Sequence, residues 1–256
     1  MTVNKLYAEL NKKIPRELSC SWDNDGAMCV PNGDREVKKV LVALDVTEMA
    51  VERAIECGCD LIVSHHPLIF KGLKGITEQN NISRKAIKLI EAGISVFSFH
   101  TRLDALDGGV NDKLCEVLGI EDAIPFGNAG EEIGRIGTLH GFETAEEFAK
   151  LVKNTLGCGA VFLSDAGRKP HRVAVLGGSG SDDVMAAACA GADTYVSGEI
   201  KHSYMVEAPE NNINIIAAGH FFTEQPVCEV LCDMIKKIDG GIECEIFWSD
   251  AVKTVC

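Results

Sequence analysis

The sequence has no apolar run long enough to cross a bilayer. Its longest, such as KVLVAL and the LIVS of DLIVS, fall far short of the roughly 20 residues that a membrane helix needs. The opening MTVNKLYAELNKKI lacks an apolar segment of signal length, so the expected location is the cytoplasm. Basic residues are scarce: 25 Lys and Arg against 38 Asp and Glu give a formal net charge of −13, and the basic residues lie scattered. That balance disfavours a broad electrostatic surface for nucleic acid or anionic membrane and leaves small ligands and protein partners open. A Walker-type phosphate loop is also missing. GGSGSDD comes near one, but its G-x-G-x-x-G spacing fails at Asp183, and two aspartates in a first helical turn would repel an anion; helix capping is the better reading. No CxxC pair exists among the eleven cysteines. Their odd number and the apolar stretches around Cys57, Cys59, Cys115, Cys189, Cys228 and Cys232 point to reduced, buried thiols. Cys228 and Cys232 stand four apart on a predicted helix, a spacing that marks one buried face better than a metal grip.

What is present is an ordinary globular composition: 256 residues, 46% hydrophobic and 25% charged, enough for one large or two medium domains. Laid on itself, the chain repeats. VLVALDVTEMAVERAIECGCDLIVS (40–64) aligns without a gap on VAVLGGSGSDDVMAAACAGADTYVS (173–197), at an offset of 133 residues. Each segment reads strand, helix, strand, with a Gly and an Asp before the second strand, which predicts right-handed βαβ units in largely parallel sheets. Farther along, ISVFSFHTRLD parallels INIIAAGHFFTE, so that His100 meets His220 and Asp104 meets Glu224, each read as a strand end carrying His-x-x-x-acid. The helix around Lys5–Lys12 with the strand near Ala27–Val30 likewise resembles the helix 145–156 with the strand 160–164. The expected fold is therefore α/β, with two related domains from an internal duplication, each a central mixed sheet flanked by helices. Pro, Gly, Asn and acidic residues around Ile120–Glu132 place the boundary there, giving halves 1–125 and 126–256, with the C-terminal segment free to return to the first half.

The halves differ where chemistry is concerned. DLIVSHHPLIFKG ends an apolar run with His65 and His66 and then stops it with Pro67. Neighbouring side chains on a strand point to opposite faces, so the two imidazoles can share a target only where the backbone turns. The corresponding slots in the second half hold Gly198 and Glu199. One site built from both halves is the economical reading, with His65, His66, Asp104, His220 and Glu224 converging beyond the strand ends. Imidazole with carboxylate suits Zn, Fe, Mn, Co or Ni, and five ligands exceed the needs of one tetrahedral ion, so two divalent ions per chain are expected. Glu199 and His202 stand where they could move protons, whereas Lys201 reads as solvated. His100 reads as a donor behind the ligands rather than as a sixth ligand. Trp22, Asp23 and Asn24 either shape the rim of the site or form a turn beside a buried indole.

In this order, WDNDG (22–26), SHHPLIF (64–70), HTRLDA (100–105), GGSGS (177–181), SGEIKH (197–202) and GHFFTE (219–224) resemble the motifs of the dinuclear metal centre protein family, often labelled GTP cyclohydrolase 1 type 2 homologues. The resemblance spans nearly the whole chain. It implies that His65, His66, Asp104, His220 and Glu224 are metal ligands, that the fold is two related α/β domains, and that the chain forms a toroidal homohexamer. It also implies metal-assisted hydrolysis of a small molecule, for GTP an attack by hydroxide on the purine C8 with release of formate. The open alternatives are another two-metal hydrolase, a phosphoesterase or amidohydrolase, and a non-catalytic metal-binding or regulatory ring. Two positions depart from the pattern: Arg102 stands where Asn is common, and Asp25 where a more apolar residue is common. Arg102 could fork onto a phosphate or carboxylate ligand, but an ion pair with a nearby acid is the favoured reading.

Overall fold

The computed structural model describes residues 1–255. Along the chain run α1 (Val3–Lys13), β1 (Gly26–Cys29), β2 (Lys39–Ala43), α2 (Glu48–Glu56), β3 (Leu61–Ser64), α3 (Asn81–Ala92), β4 (Ser95–Ser98), α4 (Thr101–Ala105) and α5 (Val110–Leu118). There follow β5 (Glu121–Asn128), β6 (Glu131–Thr138), α6 (Ala145–Leu156), β7 (Phe162–Ser164), β8 (Arg172–Ser179), α7 (Val184–Cys189), β9 (Thr194–Glu199), α8 (His202–Glu207) and β10 (Asn214–Ala217). The last elements are α9 (His220–Glu224), α10 (Val227–Ile238) and β11 (Glu243–Phe247). No helix among the described residues is long and apolar enough to cross a membrane.

Two compact units result, one from Met1–Leu103 with Val227–Ser249, the other from Asp104–Pro226 with the tail from Asp250. The division thus falls after Leu103 and not near Ile120–Glu132. The turn-forming residues there belong to strand β5, which pairs antiparallel with β6 (Ile124 opposite Ile136). The first unit has a five-stranded mixed sheet of order β1-β4-β3-β2-β11, and the second a six-stranded mixed sheet of order β5-β6-β8-β9-β10-β7. Segment Val227–Ser249 joins the first unit because β11 lies parallel to β2, with Cys244 opposite Val40.

The 133-residue offset reappears as strand register. Val40 pairs with Leu61 in the first unit and Val173 with Thr194 in the second, both in parallel ladders. Asp60 accepts the backbone N–H groups of Lys38 and Lys39, and Asp193 accepts those of His171 and Arg172, so each Asp ties the start of one strand to the start of the next. Strands β3, β4 and β10, each flanked by a strand on both sides and by at least one parallel neighbour, are buried throughout, which is why they read as mostly apolar runs. Helices cover these sheets through spaced apolar residues: Ala50, Val51 and Ala54 of α2 pack with Leu41 and Ile62, and Phe148, Ala149 and Val152 of α6 pack with Val173 and Val196. Thr47 caps α2, and Thr144 with Glu147 forms a reciprocal capping box on α6.

Cys59, Cys115, Cys228 and Cys232 are buried as expected, but Cys57 is half-buried and Cys189 exposed. The buried face of α7 is Val184 and Ala187, and Cys189, two residues beyond, points away from it.

Candidate metal centre

In the first unit the question of the paired histidines has a local answer. Ser64 ends β3 and its hydroxyl donates to the His66 carbonyl at 2.8 Å, bending the chain back on itself. Pro67 then prevents helix. The bend brings the His65 and His66 rings to a centroid distance of 4.9 Å, and the His100 ring stands 5.3 Å and 5.7 Å from them. Each of the three offers a ring nitrogen, and these nitrogens lie within 4.8 Å of one another. His100, expected behind the other two, offers its own ring nitrogen beside theirs.

Hydrogen bonds fix which nitrogen each ring presents. His65 Nδ1–H donates to the Phe99 carbonyl, His66 Nδ1–H to Asp45 Oδ1 and His100 Nδ1–H to Asp23 Oδ1, each at 2.9 Å. A neutral imidazole that donates through Nδ1 keeps its lone pair on Nε2, so all three are set as Nε2 ligands with an outer acceptor behind them. Asp23 is itself held, by the Thr101 hydroxyl at 2.6 Å and the Thr101 N–H at 3.0 Å. Burial pushes its carboxyl up, but the donations from His100 and Thr101 outweigh that and bring it down to about 2. It is a fixed anion at any ordinary pH.

In the second unit the acids and the fourth histidine come from short helices. What reads in sequence as a strand end with His-x-x-x-acid is a strand followed by one helical turn, which puts positions i and i+4 on one face. His220 Nε2 lies 3.0 Å from Glu224 Oε2, and a carboxylate oxygen of Asp104 lies within 4.8 Å of one on Glu224. Glu199, at the end of β9, places Oε2 3.6 Å from His220 Nδ1, the same acid-behind-imidazole pattern. His202 is exposed at the first residue of α8.

The glycine motifs find their use here. A Cβ on Gly178 would lie 2.2 Å from Glu224 Oε1, and one on Gly198 2.7 Å from the His220 Cα. Thr223 Oγ1 accepts the Gly178 N–H at 3.1 Å, and buried Asn111 accepts the Gly177 N–H at 2.8 Å while donating to the Asp104 carbonyl at 3.3 Å. GGSGS is thus a cradle that lets helix α9 seat Glu224 against backbone. The expected capping is positional only: Asp183 stands at the N-cap of α7, but neither its side chain nor that of Asp182 makes a capping hydrogen bond to α7 or to the turn at 181–183. Asp183 instead accepts from Asn128 Nδ2 at 2.8 Å, and Asp182 pairs with Lys201 at 3.4 Å.

The donor chemistry of the first unit, three imidazoles with fixed tautomers, fits a divalent transition ion, and the second unit carries an imidazole and two carboxylates of the kinds such ions also take. Arg102 takes no part. It is fully buried and donates through Nε to Asp25 Oδ2 at 2.9 Å and through Nη1 to Asn11 and to the Ile14 carbonyl. Sequence reading missed Asp45, Asn111 and the pairing of Glu199 with His220. Asp45 carried a signal, as the first acid beyond strand β2, but Asn111 carried none.

Residues 1–254 match the sequence profile of Duf34/NIF3 (NGG1p interacting factor 3). The chain belongs to that family. The Duf34/NIF3 chain is 33% identical over 251 residues to the GTP cyclohydrolase 1 type 2 homolog of Clostridium perfringens, covering 95% of each. It is 34% identical over 236 residues to that of Clostridium acetobutylicum, covering 89% of this chain and 86% of the other. Among solved structures, Staphylococcus aureus hypothetical protein SA1388 superposes with a TM-score of 0.89 at 27% identity, over 100% of this chain and 99% of that one.

Proposed function

We propose that this Duf34/NIF3 chain is a metal-dependent hydrolase holding two divalent ions per chain. The ligands are His65, His66 and His100 in the first unit, and Asp104, His220 and Glu224 in the second. One observation carries the proposal: three imidazoles, each with Nδ1 committed to an outer acceptor, come together with a ring nitrogen of each within 4.8 Å of the others. Buried His65 in particular has the surroundings of a ligand rather than of a solvated surface group.

Bound divalent ions of this class supply a water acidified toward neutrality and polarise the group it attacks. The chain's own residues set the stage for that chemistry. Asp23, Asp45 and the Phe99 carbonyl hold the imidazoles in one tautomer and raise their basicity. Glu199 orients His220, and Glu199 with His202 is assigned the proton transfers, from the exposed stretch between β9 and α8. The Gly178 cradle holds Glu224 at a fixed place.

The substrate class is a small molecule with a hydrolysable ring or ester. The names of the clostridial relatives support a purine nucleotide, opened by water with loss of formate. The reading includes a cytoplasmic homohexamer, supported by the likeness to the family. Turnover assays on metal-loaded protein with GTP, a phosphodiester and a small amide test it. Hydrolysis of one of them, lost in His65→Ala, is expected. No turnover of any would turn the proposal toward a non-catalytic metal-binding ring.

A further inference from the structure

The rim of the imidazole cluster carries two large rings that the fold leaves in water. Trp22 is 54% exposed and Phe70 42% exposed, so neither is the buried indole or core ring that its neighbours in sequence would suit. They come from separate loops, Trp22 from the turn ahead of β1 and Phe70 from the loop after Pro67. Their centroids are 6.3 Å apart with planes at 67°, and each meets the His100 ring edge-on, Trp22 at 6.4 Å and 78° and Phe70 at 6.0 Å and 89°. The loops are tied together. Asn24 Nδ2 donates to the Ile69 carbonyl at 2.5 Å, and Asp23, next to Trp22, holds His100. The same turn that orients a candidate ligand therefore holds the indole beside it.

Two steeply inclined aromatic faces on tied loops offer a planar ring a surface to stack on and an edge to meet. Deepening the hydrolase reading and resting on it, we infer that Trp22 and Phe70 form a corner that receives a heteroaromatic ring of the purine nucleoside type beside His100. Stacking of this kind tolerates different bases because every base has a π face. The net charge of −13 argues for a free nucleoside or nucleotide over a nucleic-acid strand.

The test uses the full-length, metal-loaded protein with Trp248→Phe, so that Trp22 is the one remaining indole. Guanosine is expected to quench its emission saturably, and ribose 5-phosphate to leave it unchanged. Phe70→Leu in the same background is expected to weaken guanosine binding about tenfold at unchanged metal content. In calorimetry with the otherwise native protein, Trp22→Leu is expected to lose the guanosine signal. Absence of quenching, an equal response to ribose 5-phosphate, or unchanged affinity in Phe70→Leu would overturn the corner. Elemental analysis of the same samples keeps the two readings apart. Metal-loaded protein that ignores guanosine refutes the corner alone, and metal-free protein that still binds it refutes the metal reading alone.

Discussion

Arg102 Nε donates to Asp25 Oδ2 at 2.9 Å, with both side chains sealed from solvent. Arg102 and Asp25, which the motif resemblance singled out together, are the two ends of one ion pair. Asp25 also accepts from the Ser19 hydroxyl and, at 3.4 Å, from the His100 N–H, so the pair braces the turn that carries a candidate ligand.

Breaking a buried pair leaves an uncompensated charge, which costs about 3–5 kcal/mol, whereas removing both partners is far cheaper. Arg102→Ala is therefore expected to lower unfolding free energy by about 3–5 kcal/mol. The double change Asp25→Val with Arg102→Asn is expected to recover at least half of that loss in urea titrations. Additive losses in the double variant would mean that the two residues do not act as a pair.

Gly178 has φ +70° and leaves no room for a side chain against Glu224. Gly178→Ala is expected to cost about 1–2 kcal/mol from its left-handed backbone. Because the added carbon displaces Glu224, metal affinity is also expected to fall about 10- to 100-fold. Gly58, also at positive φ but with open space around it, provides the control: Gly58→Ala carries the backbone cost and keeps metal affinity. Equal metal affinity in the two variants would refute the cradle.

Glu245 latches β11 to the first unit. It receives Arg53 Nη2 at 2.6 Å and Lys39 Nζ at 3.4 Å. Burial pushes its carboxyl up, but Arg53 and Lys39 outweigh that, and the net shift is downward. A depressed folded value means stability that is present above the unfolded carboxylate range, near 4.3, and is lost as pH falls through the folded value. Glu245→Gln is thus expected to lower the urea midpoint at pH 7, with the difference from wild type closing as the pH drops below about 4. A difference that does not shrink as the pH falls would assign the effect to packing instead.

Much of this fold is legible in the sequence because its signals are local. The offset of 133 residues between the two strand-helix-strand segments survives as identical strand register, since an Asp before the second strand fixes the ladder in each unit. The division after Leu103 was not legible. The residues around Ile120–Glu132 have turn-forming composition, yet they pair as a β5–β6 ladder whose irregularities absorb the Pro and Gly. Within the site, His65 and His66 announce themselves by adjacency, whereas His100 gains its place from Asp23, 77 residues away, and from the bend after β4. Asn111 could not be found at all. An asparagine inside an amphipathic helix looks ordinary until the backbone groups of Asp104 and Gly177 are seen on either side of it.

The measurement that bears most directly on all of this is metal content per chain by elemental analysis, in wild type and in Glu224→Ala. Wild type should carry close to two divalent ions, and Glu224→Ala clearly fewer, with the fold intact by circular dichroism. A chain that binds no transition ion, or one whose stoichiometry ignores the loss of Glu224, would contradict the assignment of these histidines and carboxylates as a metal centre.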